Sequence, residues 1–319
     1  MNTCGAHPAA PRESIISTQL PRRLFWDVTG PAASWSTTLR LPGGEPQGLF
    51  LEGDTLWVTS LLDASRGDLL LRRFAQDASG EWAVQDAMEL RGFGHGIAFG
   101  VERADAGTPL VWLECAAARG GSDPRNAYGT AIATIPYRPG ETVSSPPGFA
   151  PAGEARHYSC SVQAEANGGR GILVCRSING VASYRAFDLA SARDGIAVPL
   201  GEAVPEPHVI TGAEHGPLQG WTAHDGVVYA VSGVGRAAAR SSAAYLTTID
   251  LTAARNGPEG YLAHCRRDDG EFAERPREPE GILVDQATRR LVFALVNRRK
   301  EEGWAVHTFG IEESGPALA

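Results

Sequence analysis

Helical periodicity is nearly absent from this chain of 319 residues. Apolar residues do not recur at three- and four-residue intervals over any long window, which argues against a helical bundle. No run of 18 apolar residues exists, so no membrane-spanning helix is expected. The start, MNTCGAHPAAPRESIISTQLPRR, lacks a basic segment followed by an apolar one. No secretory signal is read there, and the expected compartment is the cytoplasm. The first 20 residues are expected to form a flexible arm, with residues 21–319 as one domain. Basic runs are missing too. The formal charge is −8, a balance that disfavours nucleic acid as a partner. Cysteine is sparse: Cys4, Cys115, Cys160, Cys175 and Cys265 have no CxxC spacing. Cys115, Cys160 and Cys175 lie in apolar runs, where a free thiol acts as a small hydrophobe, and disulfides are not expected. GxGxxG opening a helix, GxxxxGK[ST], HExxH and GxSxG are all absent. No histidine pair has zinc spacing and no calcium loop is visible, so neither a metal nor a cofactor is expected.

What the chain has is turns and short apolar runs. Gly (38) and Pro (21) are plentiful, and they separate stretches that read as strands. TLWVTSLL (55–62), LVWLECA (110–116), GILVCRS (171–177), VVYAVSG (227–233) and RLVFALV (290–296) are the strongest. Only DLASARDG (188–195) and DLTAARNG (250–257) could hold a helical turn. Each strong strand follows a weaker one rich in small residues: QGLFLEGD (47–54), HGIAFGVE (95–102), YSCSVQAE (158–165), QGWTAHDG (219–226) and EGILVDQA (280–287). A third strand follows each pair. The starts, at 47, 95, 158, 219 and 280, are 48, 63, 61 and 61 residues apart. Five such units predict an all-β, five-bladed β-propeller with four-stranded blades. EWAVQDAMELRG (81–92) and GYLAHCRR (260–267) serve as fourth strands. The last unit stops after three, at Ile311. SWSTTLRLPGGEPQG (34–48) supplies the missing one, so the ring is expected to close through both chain ends, with RRLFWDV (22–28) as a further strand.

A small residue near the start of each first strand (Gly48, Gly96, Ser159, Gly220, Gly281) lets backbones approach at a crowded axis. The residue before it points to one channel mouth. Those positions hold Gln47, His95, Tyr158, Gln219 and Glu280. Such a ring suits a small-molecule or glycan ligand. His95 and Glu280 are the candidate acid–base pair, with Gln47 and Gln219 positioning substrate. Trp221, Tyr158, Phe93 and Tyr128 are candidate pocket aromatics and Arg236 an anion contact. Glu114, in an apolar strand, needs a partner; Arg176, in the matching strand of the next unit, is one candidate, and a structural role between units is expected. Trp57, Trp82 and Trp112 read as packing between units. The ring offers one acid and two amides, which disfavours glycoside hydrolysis, a reaction that needs a carboxylate pair. The expected activity is cofactor-free proton transfer of lyase, cyclase or isomerase type. The alternatives are a non-catalytic glycan- or ligand-binding propeller and a protein-interaction scaffold. Oligomeric state is not legible.

QGLFLEGDTLWVTS, GFGHGIAFGVE, VWLECA and GTAIATIPYRPGE together resemble the propeller of certain phage tail receptor-binding proteins. Bacterial sequences labelled as similar to teichoic acid biosynthesis protein C are alike in the same way. The likeness spans residues 35 to 311 and is densest over 47 to 140. It implies a five-bladed propeller and, in the phage proteins, a module that binds cell-wall glycopolymer. Fold alone does not fix the activity of this chain.

Overall fold

The computed structural model describes residues 36–78, 80–103, 107–120, 124–164, 171–207, 216–233, 243–251, 261–268, 278–285, 287–288, 290–299 and 303–312. The expected arm (1–20), the strand at 22–28, the turn after residue 251 and Arg236 lie outside them. β1 (Ser36–Leu41) is followed by a meander of β2 (Glu45–Glu52), β3 (Thr55–Asp63), β4 (Asp68–Gln76) and β5 (Trp82–Arg91). A second meander holds β6 (Gly100–Glu102), β7 (Leu110–Arg119) and β8 (Ala127–Pro136). β9 (Thr142–Ser144) then crosses back and pairs in parallel with β5, covering that edge of the first sheet. A third sheet is β10 (His157–Gln163), β11 (Ile172–Asn179), β12 (Val181–Asp188) and β13 (Val204–Pro205). The helix α1 (Leu189–Arg193) sits between β12 and β13, with Asp188 as its N-cap accepting from the Ser191 amide at 2.8 Å. The fourth sheet is β14 (Leu218–His224), β15 (Val227–Gly233), β16 (Ala243–Asp250) and β17 (Tyr261–Asp268). The fifth contains β18 (Glu278–Asp285), β19 (Arg290–Arg299) and β20 (Gly303–Glu312), and β1 completes it, antiparallel to β20 from Ser36↔Phe309 to Leu41↔Trp304.

The described residues are therefore almost all β, in five separate sheets. Their first strands are neighbours: β2 touches β6, β6 touches β10, β10 touches β14, β14 touches β18, and β18 touches β2. Close approach depends on the small residues. A Cβ on Gly220 would lie 2.9 Å from the Gly281 Cα, and one on Gly48 would lie 2.6 Å from the Gly96 carbonyl oxygen. Apolar cores fill the spaces between sheets. Trp57 packs edge-on to Tyr137, with ring centroids 4.7 Å apart, and Trp112 is buried with its indole N–H donating to Glu102. Trp82, half-buried on β5, packs against the core between the first and fifth sheets and lines a cavity there. Cys115, Cys160 and Cys175 are buried free thiols.

Candidate functional site

The first strands share a local defect. In β2 the register with β3 shifts between Pro46 and Gly48, in β14 the register with β15 shifts between Leu218 and Gly220, and in β18 the register with β19 shifts between Pro279 and Gly281. The extra residue at each shift is Gln47, Gln219 and Glu280 in turn. A β-bulge leaves its residue out of the ladder and re-aims the side chain. The bulge recurs at three of the five equivalent positions, on sheets whose first strands adjoin. The sequence explains two of the three. Glu45-Pro46-Gln47-Gly48 and Glu278-Pro279-Glu280-Gly281 have the same form. Proline has no N–H to give the ladder, and the glycine allows the return. β10 keeps regular register through Tyr158↔Ser177. His95 precedes β6 in an irregular stretch.

Around the bulges the structure gathers acids. Gln219 Nε2 donates to Glu278 Oε1 at 2.6 Å and to the Gly233 carbonyl at 3.1 Å. Glu280 is 4% exposed, and its carboxyl makes no hydrogen bond among the described residues. Burial pushes Glu280 well above the usual carboxylate range, and the charges of Glu278 and Glu45 push it further. Burial also raises Glu278; the Gln219 hydrogen bond opposes this and Glu45 adds to it. Glu280 thus has two carboxylates acting on it, and the reading of one acid among amides needs correcting. Glu45 and Glu278 were missed because only the residue before each glycine was compared. The repeated Glu-Pro pair was the available signal.

His95 belongs to a second cluster. Its ring lies 5.0 Å from that of Tyr128, at 30°, and Tyr128 lies 4.6 Å from His157, at 41°. Thr59 ties this stretch to the first bulge: its Oγ1 accepts from the Gly48 amide at 3.0 Å and donates to the Gly96 carbonyl at 2.8 Å. Beneath the rings, Glu114 is fully buried. It accepts from three amides, His95 (3.0 Å), Gly96 (2.6 Å) and Gly129 (2.6 Å), and lies 3.6 Å from His157 Nε2. Burial raises Glu114 to about 7; the amides and the Arg176 charge pull the other way. Burial holds His157 well below the ordinary imidazole range, helped by Arg176 and His95. Arg176 does not pair with Glu114 as expected. Its guanidinium makes a bidentate contact with Glu206 (2.6 and 2.9 Å), which also accepts from the Tyr184 hydroxyl at 2.7 Å. The backbone of the GHG stretch is what satisfies Glu114.

The structure thus places Glu280 among carboxylates and His95 against an aromatic ring, each in its own cluster. Three expected pocket aromatics are in the packed interior. Phe93 is fully buried in the core under the first two sheets. The Tyr158 hydroxyl donates to the Gly153 carbonyl at 2.6 Å and accepts from the Ala152 amide. Trp221 is buried, and its indole N–H donates to Ser159 at 2.9 Å. The polar atoms of Tyr158 and Trp221 are spent on protein partners, and all three side chains are buried rather than lining an open face. Tyr128 is only half-buried.

No family model and no curated protein matches this sequence. Solved structures do. A tail fibre of Staphylococcus aureus phage P68 is similar over 94% of this chain, with a TM-score of 0.61 and 15% identity. The match spans 54% of that tail fibre's length. A GH43 β-1,3-galactosidase with galactodeoxynojirimycin is similar over 86% of this chain and 92% of its own, at TM-score 0.46 and 12% identity. A thermostable family-43 glycoside hydrolase is similar over 91% and 96%, at TM-score 0.44 and 10% identity. The tail-fibre likeness is one of fold.

Proposed function

We propose that the chain is a five-bladed propeller, closed by β1 on β20, whose mouth binds a polyhydroxylated small molecule and moves protons on it. The observation that carries this reading is the bulge repeated at Gln47, Gln219 and Glu280. Bulges are enriched beside active sites because they turn side chains out of the sheet. Here they turn out two amides and an acid. Amides hydrogen-bond hydroxyl groups in both directions. Glu280, held protonated, acts as the general acid. Glu278, fixed by Gln219, acts as the base. Glu278 removes a proton, and Glu280 delivers one to the accepting or departing oxygen. The net reaction is an isomerisation or an elimination and needs no co-reactant. His95 and Tyr128 form the opposite wall.

A second reading, a non-catalytic glycan-binding propeller using the same mouth, is favoured by the tail-fibre likeness across nearly the whole chain. Incubation with a panel of sugars, sugar acids and short glycans, followed by mass spectrometry, separates the two. Conversion that disappears in Glu280→Gln supports the enzyme. Binding without conversion supports the second reading. Neither binding nor conversion by folded protein overturns both.

A further inference from the structure

Three first strands meet at the mouth, and each brings an acid or an amide to it. A Cβ on Gly220 would lie 2.9 Å from the Gly281 Cα, and one on Gly281 would run into the Leu49 side chain. β14 therefore lies against β18, and β18 against β2. The bulged residues just before these contacts are Gln219, Glu280 and Gln47. Gln47 and Glu280 are each 4% exposed, and neither side chain makes a hydrogen bond among the described residues. Neither is sealed in, unlike the enclosed and unpartnered Trp57 indole nitrogen and Ser232 hydroxyl. Polar groups this deeply set find partners, and here the partner comes from outside the chain. The charge around them is negative. Glu278 and Glu45 both act on Glu280, and Glu45 acts on Glu278. No Arg or Lys among the described residues offsets the charge of Glu278 or Glu280. The Gln219 amide engages Glu278 Oε1 at 2.6 Å and leaves Oε2 without a described partner.

We infer, on the reading of the mouth as a ligand site, that its ligand carries an amino group: an amino sugar or a like polyhydroxylated amine, rather than a neutral sugar or a sugar acid. The ammonium sits in the joint field of Glu278 and Glu45, and the hydroxyls reach the Gln47 amide. A cleft lined by one sign of charge concentrates ligands of the other sign. Among the described residues, no three of His, Cys, Asp and Glu stand at the spacing that holds a metal ion. An ammonium, which donates to acids one hydrogen at a time, suits this wider setting. Glu280 keeps its proton beside the amine, because burial acts on it more strongly than either neighbouring charge. A sugar acid would add a further negative charge to acids that already repel one another.

Glucosamine, glucose and glucuronate share a ring and differ in charge, and they are the probes. Their binding to the full chain is followed by titration calorimetry at about pH 6, where an amine is protonated. Glucosamine should bind about tenfold more tightly than glucose, the ratio one charge-assisted hydrogen bond provides, and glucuronate should bind least. Raising sodium chloride from about 0.05 to about 0.5 M should weaken glucosamine and leave glucose unchanged. Glu278→Gln keeps an acceptor for Gln219 but removes the charge, and should bring glucosamine and glucose close to parity. Gln47→Ala should weaken both sugars alike. Equal binding of glucosamine and glucose by the parent, lost in Gln47→Ala, would overturn the amine and leave the mouth standing. A preference for glucosamine that survives Glu278→Gln overturns the inference too. So does the absence of saturable glucosamine binding by the folded parent, whatever the wider sugar and glycan panel binds. Should Glu278→Gln not fold, the salt dependence of the parent decides the question.

Discussion

Two carboxyl groups set the pH behaviour of this molecule residue by residue. Folded, Glu114 keeps its proton up to about pH 7, whereas the unfolded chain gives it up near the ordinary carboxylate value of 4.5. Its contribution to stability is therefore full below pH 4.5 and is lost as the pH rises toward 7, by about 3 kcal/mol. His157 runs the other way. It stays neutral when buried, so its contribution is present above about pH 6.5 and is lost as the pH falls. Glu114→Gln isolates the first effect. An amide nitrogen cannot accept, so one of the three N–H donors loses its partner, at a cost of about 1–3 kcal/mol at pH 5. The deficit should shrink by pH 8, because only the parent loses the Glu114 contribution. Urea unfolding at the two pH values measures this, and an equal deficit at both would sink it. Glu280→Gln carries the same sign without the lost acceptor. The raised Glu280 costs stability as the pH climbs above the ordinary carboxylate range. The variant should therefore melt higher than the parent at pH 8, with the gap closing toward pH 4.

At the scale of elements, the GHG stretch and the bulged strand starts are the parts that break regular structure. Gly94 has φ +150°, and a Cβ there would run into the Glu114 carboxylate and lie 2.6 Å from the Gly129 amide nitrogen. Gly94→Ala is expected to cost about 2–3 kcal/mol. Gly140→Ala is the control: its φ is +78° with nothing within 4 Å, and about 1 kcal/mol is expected. Denaturant midpoints rank the two, and equal losses would show that the turn does not depend on the Glu114 latch. The elements themselves were legible in the sequence. Alternation and turn residues mark all five strand meanders, and α1 falls where Asp188 and its neighbours allowed a turn. The site was legible only in part. Equivalent positions of the repeat pick out Gln47, Gln219 and Glu280, the three residues at which the register shifts. The aromatics expected near the same face, Tyr158, Phe93 and Trp221, are packed in the interior instead. Sequence spacing says which end of a strand a ring occupies, but the donors and acceptors around it decide whether the ring is spent on protein. His157 was passed over in favour of its neighbour because no bulge shifts that strand, so the residue in play moves by one.

For the whole molecule, the pairing of β1 with β20 joins residues almost the whole chain apart. Leu39 and Leu41 are buried in the core shared by the first and fifth sheets. Leu41→Ala should cost about 2–4 kcal/mol, as for other large core side chains. If the five sheets form one closed unit, the loss should appear as a shift of a single unfolding transition in calorimetry; a separate early transition would mean that the fifth sheet unfolds alone. At the mouth, the proposed site is tested by native mass spectrometry of the purified protein against lysate metabolites and a glycan panel, with Glu280→Gln alongside. A polyhydroxylated molecule should be retained or converted by the parent and lost in a variant with the same circular dichroism. An identical bound mass in both, or none with the folded parent, would contradict it.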